Sequence, residues 1–434
     1  MAQFAAGRAR FEAGDYAAAV QALEQAVDAE HGFPEAHYLL ALAHRKLGQL
    51  EAARDCLLLA THFSPGFAEA HFQLGVLAVE RGEYGEAIEC YGRAVTANDG
   101  FAEAYSARGA ARLEAGNLES AVGDFRRAIE LKPDFAPAHS NLGCVLITQL
   151  DRFEEGATHI ETAWRLAPEN QDVQVNWAML LQLRGRLSES LALWDRLIES
   201  GMNVENAKLN RAMVRLKQGE FALGWEDYES RKHVAKEHAA RKFPYPEWRG
   251  EPLAGRTILV YAEQGLGDQI MFASCIPDLG RLAGHCVVEC APKLKGLFAQ
   301  SFPTATVVSA QGADVKVQRL QEAPAIDCYV ALGSLPRRFR NALAQFPAHH
   351  GYLRADPDKV AAWRRRLAAL PGALKLGISW SGGMKATRRS VRSLPLEEWG
   401  PILRHPDVSF VSLQYTDCKD ELARLALESG IRVH

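Results

Sequence analysis

Three groups of residues in this chain have types and spacings that could do chemistry. The first is Glu263-Gln264-Gly265-Leu266-Gly267-Asp268-Gln269, which has the make-up of a strand-to-helix turn. Glycines 265 and 267 let the backbone approach a ligand, and the N–H groups opening the next helix favour negative charge. The turn lacks the third glycine of a dinucleotide fingerprint and the Gly-Lys-Ser/Thr of a phosphate loop, which removes both of those readings. The second group lies between Gly382 and Ser393, where Lys385, Arg388, Arg389 and Arg392 crowd into one loop after a strand. Fixed cations at a strand's carboxyl end can hold anionic charge without a metal, although a solvated basic loop carries the same residues. The third is Asn141, Asn176 and Asn210, spaced by 35 and 34 residues. Each amide offers a donor and an acceptor, so three along a groove could hold an extended peptide backbone. The sole D-x-D, Asp356-Pro357-Asp358, has a proline that marks a helix start, and reads as a cap rather than a metal site.

The asparagines lead to the elements that carry them. Gly14, Gly48, Gly82 and Gly116 recur every 34 residues; Asp151 follows at 35, then Gly185 and Gly219 at 34 again. Ala19, Ala53, Ala87 and Ala121 keep the same beat, as do Ala26, Ala60, Ala94, Ala128 and Ala163. A helical period of 34 is the tetratricopeptide spacing. The glycine suits a turn needing positive φ, and the alanines suit close helix crossings. Pro65, Pro133 and Pro168 end second helices. Seven hairpins are expected over residues 1–232, beginning near 1, 34, 68, 102, 136, 171 and 205, with the last degenerate because Gly224 and Arg231 replace two alanines. Such a stack binds polypeptides through the face lined by its first helices.

At 233–256 the period stops. Pro244, Pro246 and Pro252 forbid a continuous helix, so this is a linker that Tyr245 and Trp248 pack against a neighbour. Strands then alternate with helices: 257–263, 285–291, Ala305–Ala310 and 326–332, followed by a second series with strands at 375–383, 408–414 and a new one at Ile431. This order predicts parallel sheets in two Rossmann-like lobes, 257–356 and 357–434, with a helix running to about 283 in the first.

The motifs W-R-G-x-P-L-x-G-R, E-Q-G-L-G-D, S-W-S-G-G, R-S-x-P-L and S-L-Q together resemble bacterial tetratricopeptide-repeat proteins fused to a heptosyltransferase-like glycosyltransferase of the GT-B fold. The resemblance spans essentially the whole chain. It implies a metal-independent transfer of sugar from a nucleotide-sugar donor, needing no cofactor, to a protein or glycan acceptor. Asp268 matches an aspartate that serves such enzymes as general base; the same residue would also serve as a plain helix N-cap. Lys385, Arg389, Arg392 and Ser393, with Gly265 and Gly267, would hold the donor's phosphates, and Trp380 and Gly382 would shape the pocket. The resemblance also implies further strands and a donor-binding segment, so the second lobe reads as incomplete. The other class of function is a non-catalytic repeat scaffold carrying a degenerate transferase domain.

Composition bounds the partners. Fifty basic against fifty-three acidic side chains give a net charge of -3, with no global attraction to nucleic acid or anionic lipid. Arg8, Arg10, Glu12 and Asp15 interrupt the start, which lacks the apolar core of a signal peptide, and no apolar run is long enough to insert in a membrane; this reads as cytoplasmic. Eight cysteines without a CxxC pair read as reduced thiols.

Overall fold

The computed structural model describes residues 1–201, 203–234, 241, 243–309, 325–348, 351–382, 393–414 and 416–434. The chain divides into two compact units, Met1–Trp177 and Ala178–His434, at a point inside a helix. The first unit contains five hairpins: α1 Ala2–Glu12 with α2 Tyr16–Ala29, α3 Pro34–Lys46 with α4 Leu50–Phe63, α5 Ala68–Glu80 with α6 Tyr84–Ala97, α7 Ala102–Glu114 with α8 Leu118–Leu131, and α9 Ala136–Thr148 with α10 Phe153–Leu166. Helix α11 (Gln171–Leu183) crosses from the first unit into the second, where α12 (Leu187–Glu199), α13 (Val204–Gln218) and α14 (Phe221–Tyr228) continue the pattern.

The turn inside each hairpin explains the 34-residue beat. Gly14, Gly48, Gly82, Gly116, Gly185 and Gly219 all have φ between 75° and 81°, a region that costs a side-chain-bearing residue about 1 kcal/mol or more. Where the beat lengthens by one, Asp151 takes the place at φ 55°, tolerable because a short polar side chain can satisfy its own backbone. The alanines of the beat are buried to within a few per cent. Between them lies a further row of small residues. A Cβ built at Gly75 would stand 2.6 Å from the Tyr91 ring, and one at Gly143 would stand 2.6 Å from the carbonyl oxygen of Gly156. At these points the two helices of a hairpin touch through ring or backbone, with no room for a methyl group.

Two polar devices repeat along the stack. His37, His71 and His139 are buried, and their Nε2 atoms lie 2.8, 2.9 and 3.0 Å from the carbonyls of His31, Pro65 and Pro133. In the following repeat Gln174 Nε2 donates to the Pro168 carbonyl at 2.9 Å. Each bond ties the start of a first helix to the turn before it, satisfying a carbonyl the helix end leaves open. A carbonyl only accepts, so Nε2 of each histidine carries the proton and Nδ1 is bare. His139 Nδ1 therefore accepts from Nδ1–H of His159 at 2.9 Å. In the second device Asp124, 5 % exposed, receives Arg108 at 2.7 and 3.0 Å and Arg112 at 2.8 Å. Asp227 in the second unit receives Arg211 and Arg215, each contact at 2.7 Å, with the same spacing along the chain.

The second unit adds a parallel sheet of β1 Thr257–Tyr261, β2 His285–Cys290, β3 Thr306–Ser309 and β4 Cys328–Ala331 in the order β3-β2-β1-β4. Leu259 stands between Val287 and Tyr329 in the ladder. The connecting helix expected to reach 283 breaks in two, α16 Leu266–Ala273 and α17 Ile276–Gly280, because Pro277 can open a helix but not continue one. The linker extends the sheet edge: Trp248 N–H donates to the Tyr329 carbonyl at 2.8 Å, and Tyr329 N–H to that of Pro246 at 3.0 Å. Trp248 is buried while Tyr245 is half-buried. A second parallel pair, β5 Leu374–Ile378 and β6 Val408–Ser412, has a core of Ile378, Trp380, Leu396, Phe410 and Leu425. The strand expected at Ile431 amounts to one bridge, Val433 to Phe410. All eight cysteines are free thiols, and burial pushes Cys275, Cys286 and Cys290 up to about 11.

Two stability tests follow from the hairpins. Gly143→Ala overpacks a backbone crossing and lowers stability by about 1–3 kcal/mol, whereas Gly123→Ala, whose new Cβ meets nothing within 4 Å, gains up to about 1 kcal/mol of helix propensity; urea titration of the two variants has opposite signs. Burial first, and the neighbouring His139 second, hold the His159 imidazole below the usual histidine range, against the opposing pull of Glu155. Its contribution is present above about pH 6.5 and is lost as pH falls through the depressed value. Thermal melts from pH 7.5 to 5 should lose less in His159→Gln than in the parent.

Candidate functional site

On the first unit, the first helices of three successive hairpins line an open groove of about 480 Å³ through Phe11, Leu42, Arg45, Lys46, Gln73 and Glu80, with Leu50 at its rim. Its polar floor is organised: Arg45 donates to Glu80 at 2.7 Å and to Gln73 at 3.1 Å. Gln73 occupies the repeat position that holds asparagine in later hairpins. The floor leaves Lys46 exposed beside apolar Phe11, Leu42 and Leu50. Apolar walls with a few fixed polar groups are what a recognition groove requires.

The three asparagines are half-buried, and two of them already spend an amide N–H inside the protein. Asn176 Nδ2 donates to Ser140 Oγ at 2.8 Å, bracing successive first helices. Asn210, in the second unit, donates to the Asn206 carbonyl one turn back, at 3.0 Å. Asn141 lies on α9 next to Ser140 in sequence. The Asn141 amide and the amide oxygens of Asn176 and Asn210 are the groups that could address a peptide.

In the second unit the strand order reverses at β1, with β2 and β3 on one side and β4 on the other. Parallel sheets take ligands in the crevice outside the strands' carboxyl ends at such a reversal. Here that crevice contains the chain's own charges. Arg231, which opens the short helix α15 (Arg231–Val234), is 3 % exposed and places Nη2 2.6 Å from Glu263 Oε1, just beyond β1. The same nitrogen lies 2.9 Å from Ser334 Oγ, just beyond β4, and Gly333 N–H donates to Glu263 Oε1 at 3.2 Å. Glu229 joins through Arg231 at 2.9 Å and Lys232 at 2.7 Å. Burial alone would raise the Glu229 carboxyl, but Arg231 and Lys232 outweigh it and hold it below the usual range. A second arginine, Arg241, makes a two-pronged bond to Glu289 on β2 at 2.5 and 2.7 Å. Glu263 Oε2 and Gln264 Oε1 are buried without a hydrogen-bond partner among the described residues.

The expected ligand loop adjoins this cluster. Gly265 is the N-cap of the helix opening at Leu266, so Asp268 lies inside the first turn rather than at the cap, and it is half-buried. Gly265 and Gly267 are exposed. Near β5, Trp380 is 3 % exposed and its indole N–H donates to Glu421 at 2.9 Å, so it serves the core of the β5–β6 layer. Gly382 N–H donates to Ser393 Oγ at 3.3 Å. Lys385, Arg388, Arg389 and Arg392 lie outside the described residues. Asp356 caps the helix beginning at Pro357, accepting from Asp358 N–H at 2.9 Å and Lys359 N–H at 3.2 Å. Among the described residues, no three His, Cys, Asp or Glu side chains are grouped to hold a metal ion, and no helix is long and apolar enough to cross a membrane.

Comparison with known proteins agrees with the hairpins. The tetratricopeptide-repeat family model matches residues 4–68 and 72–135, so the hairpins within those residues are tetratricopeptide repeats. Protein FlbA of Caulobacter vibrioides is 30% identical over 282 residues, 62% of this chain and 47% of FlbA, so the chain spans about half the length of that curated relative. Among solved structures, MamA from Desulfovibrio magneticus RS-1 is 21% identical, with 39% of this chain and 94% of MamA covered at a TM-score of 0.36. YrrB, described as a tetratricopeptide-repeat protein with an unusual peptide-binding site, is 19% identical, with 39% and 88% covered at a TM-score of 0.35.

The crevice cluster makes a definite prediction. Arg231→Met leaves the Glu263 carboxylate buried and uncompensated and should cost about 3–5 kcal/mol, while the double variant with Glu263→Met should recover much of that loss. Denaturant unfolding of the two variants distinguishes the cases.

Proposed function

We propose that the chain is a polypeptide-binding scaffold, with the first unit's hairpins receiving a partner along their first helices. The observation that carries this reading is the groove of Phe11, Leu42, Arg45, Lys46, Gln73 and Glu80. A peptide segment would seat apolar side chains against Phe11, Leu42 and Leu50, pair a carboxylate with Lys46, and meet the Arg45–Glu80–Gln73 floor with its backbone. The asparagine positions deepen the same role farther along. Binding by an array of twelve-residue peptides should fall by at least about tenfold in Leu42→Glu/Lys46→Glu, where two central contacts are lost. An unchanged array pattern would remove this groove from the mechanism. Asn176→Ala with Asn210→Ala tests the amide positions in the same assay.

The second reading makes the α/β region a glycosyltransferase. Its support is the strand reversal at β1 with the Glu263–Asp268 loop beside it and the resemblance of its motifs. On that reading Asp268 takes the acceptor's proton, and Lys385, Arg389 and Arg392 hold the donor's diphosphate. The scaffold reading is the better supported, because the guanidinium at the reversal, Arg231, is already paired with the chain's own Glu263 and Glu229. Calorimetry with UDP-, GDP- and ADP-sugars separates the two: the scaffold gives no heat with any, and saturable heat with one restores the transferase.

A further inference from the structure

We propose that α20 (Pro357–Ala368), the helix leading into β5, is a second docking surface, specific for an acidic polypeptide that presents apolar side chains. It follows α18 (Lys295–Ser301) and α19 (Pro336–Phe339) along the chain. None of its residues is buried. A helix of about twelve residues has marginal stability in water without tertiary packing, so a helix with no buried residue is an element whose cover lies elsewhere.

Its sequence says what the cover is like. Val360, Trp363, Leu367 and Leu370 follow one another at helical spacing and form a single apolar stripe running just past the helix end. Trp363 is 49 % exposed, and the others are half-buried. Lys359, Arg364 and Arg366 flank the stripe, and Arg365 lies farther round. Among the described residues no carboxylate pairs with any of the three arginines. The Arg366 guanidinium lies 4.3 Å from the centre of the Trp363 ring, so the indole face carries a cation without an anion. Arginines in the last turn complement the helix dipole, but that role does not call for a tryptophan beside them.

Charge complementarity selects the occupant. A second copy meeting α20 through a symmetric contact would oppose arginine to arginine, which repels. A lipid surface would meet only one tryptophan and three aliphatic side chains over about 18 Å of helix, a small apolar face for interfacial binding. Tryptophan and arginine are the residues that carry energy at protein interfaces. Carboxylates on either side of an apolar pocket would satisfy the arginines and receive the indole.

The test uses the whole chain and a 21-residue synthetic peptide with glutamate on one helical face and leucine on the other, measured by calorimetry. The parent chain should bind with an affinity that falls as salt rises. Trp363→Ala and the triple variant R364E/R365E/R366E should each weaken binding by at least about tenfold, while R364K/R365K/R366K keeps the charge and most of the affinity. All these positions are exposed, so unchanged melting curves will verify folding. Equal binding by the parent and the triple variant overturns the proposal. Equally tight binding of poly-L-glutamate overturns the role of the apolar stripe. Co-sedimentation with phosphatidylglycerol vesicles in place of peptide binding assigns the face to lipid, and a dimer lost in Trp363→Ala assigns it to a second copy; either outcome overturns it.

Discussion

The rest of the structure depends on how closely the two helices of each hairpin approach. At Gly75 a methyl group would enter the Tyr91 ring, and at Gly143 it would enter the Gly156 carbonyl. This approach requires small residues in rows, and the rows in turn fix the repeat length and the direction of each first helix. The inner groove exists because those first helices are held in one register. The histidine braces act on the same register from the other end, tying each first helix to the preceding turn with a bond of about 1 kcal/mol net. The buried Arg–Asp clusters at Asp124 and Asp227 hold the two helices of a hairpin together through charge where apolar residues do so elsewhere.

The parts of this design that recur at single positions are legible in the sequence. Glycine at positive φ and alanine at a crossing have one physical reason each, so the spacing of Gly14, Gly48, Gly82 and Gly116 leads directly to hairpins at the expected places. Features that need two positions are less visible. Asp124 reads as a charge on a helix until Arg108 and Arg112 are placed opposite it, and the identical spacing of Arg211, Arg215 and Asp227 is the signal that would have shown it. The histidines of the brace were visible too, at 37 and 71, but their function depends on a carbonyl six residues earlier.

In the α/β region the strands are legible because Ile258, Val260, Val287 and Val288 are the residues of a fully buried sheet. The parallel pairing follows from the alternation of strands and helices. What the spacing conceals is the site. Arg231 appears in the repeat pattern as a lost alanine, a mark of decay at the end of the array. In the folded chain it is the residue that reaches the reversal between β1 and β4. The last hairpin is therefore not a frayed terminus: Ala212 and Tyr228 belong to the same core as Trp248, Phe272 and Leu335.

That placement bears on what the sheet is for. The side chains of Arg231 and Glu263 are both 3 % exposed, and so deeply buried a pair is supported by further hydrogen bonds: Arg231 donates to Ser334 and Glu229, and Gly333 N–H donates to Glu263 Oε1. An anionic ligand entering the crevice would compete with Glu263 for the guanidinium and leave a carboxylate without compensation, at a cost of several kcal/mol. Binding energy spent on that exchange is unavailable for affinity. Further bonds tie the final hairpin to the segments around the sheet: Trp225 N–H donates to the Arg340 carbonyl at 2.9 Å, and Arg340 in turn to Asp278 at 2.7 Å. An arrangement that fills the crevice with the chain's own charges while bonding the hairpin to the sheet region at several points fixes the last hairpin in place. It makes the sheet an anchor for the repeats of its own unit.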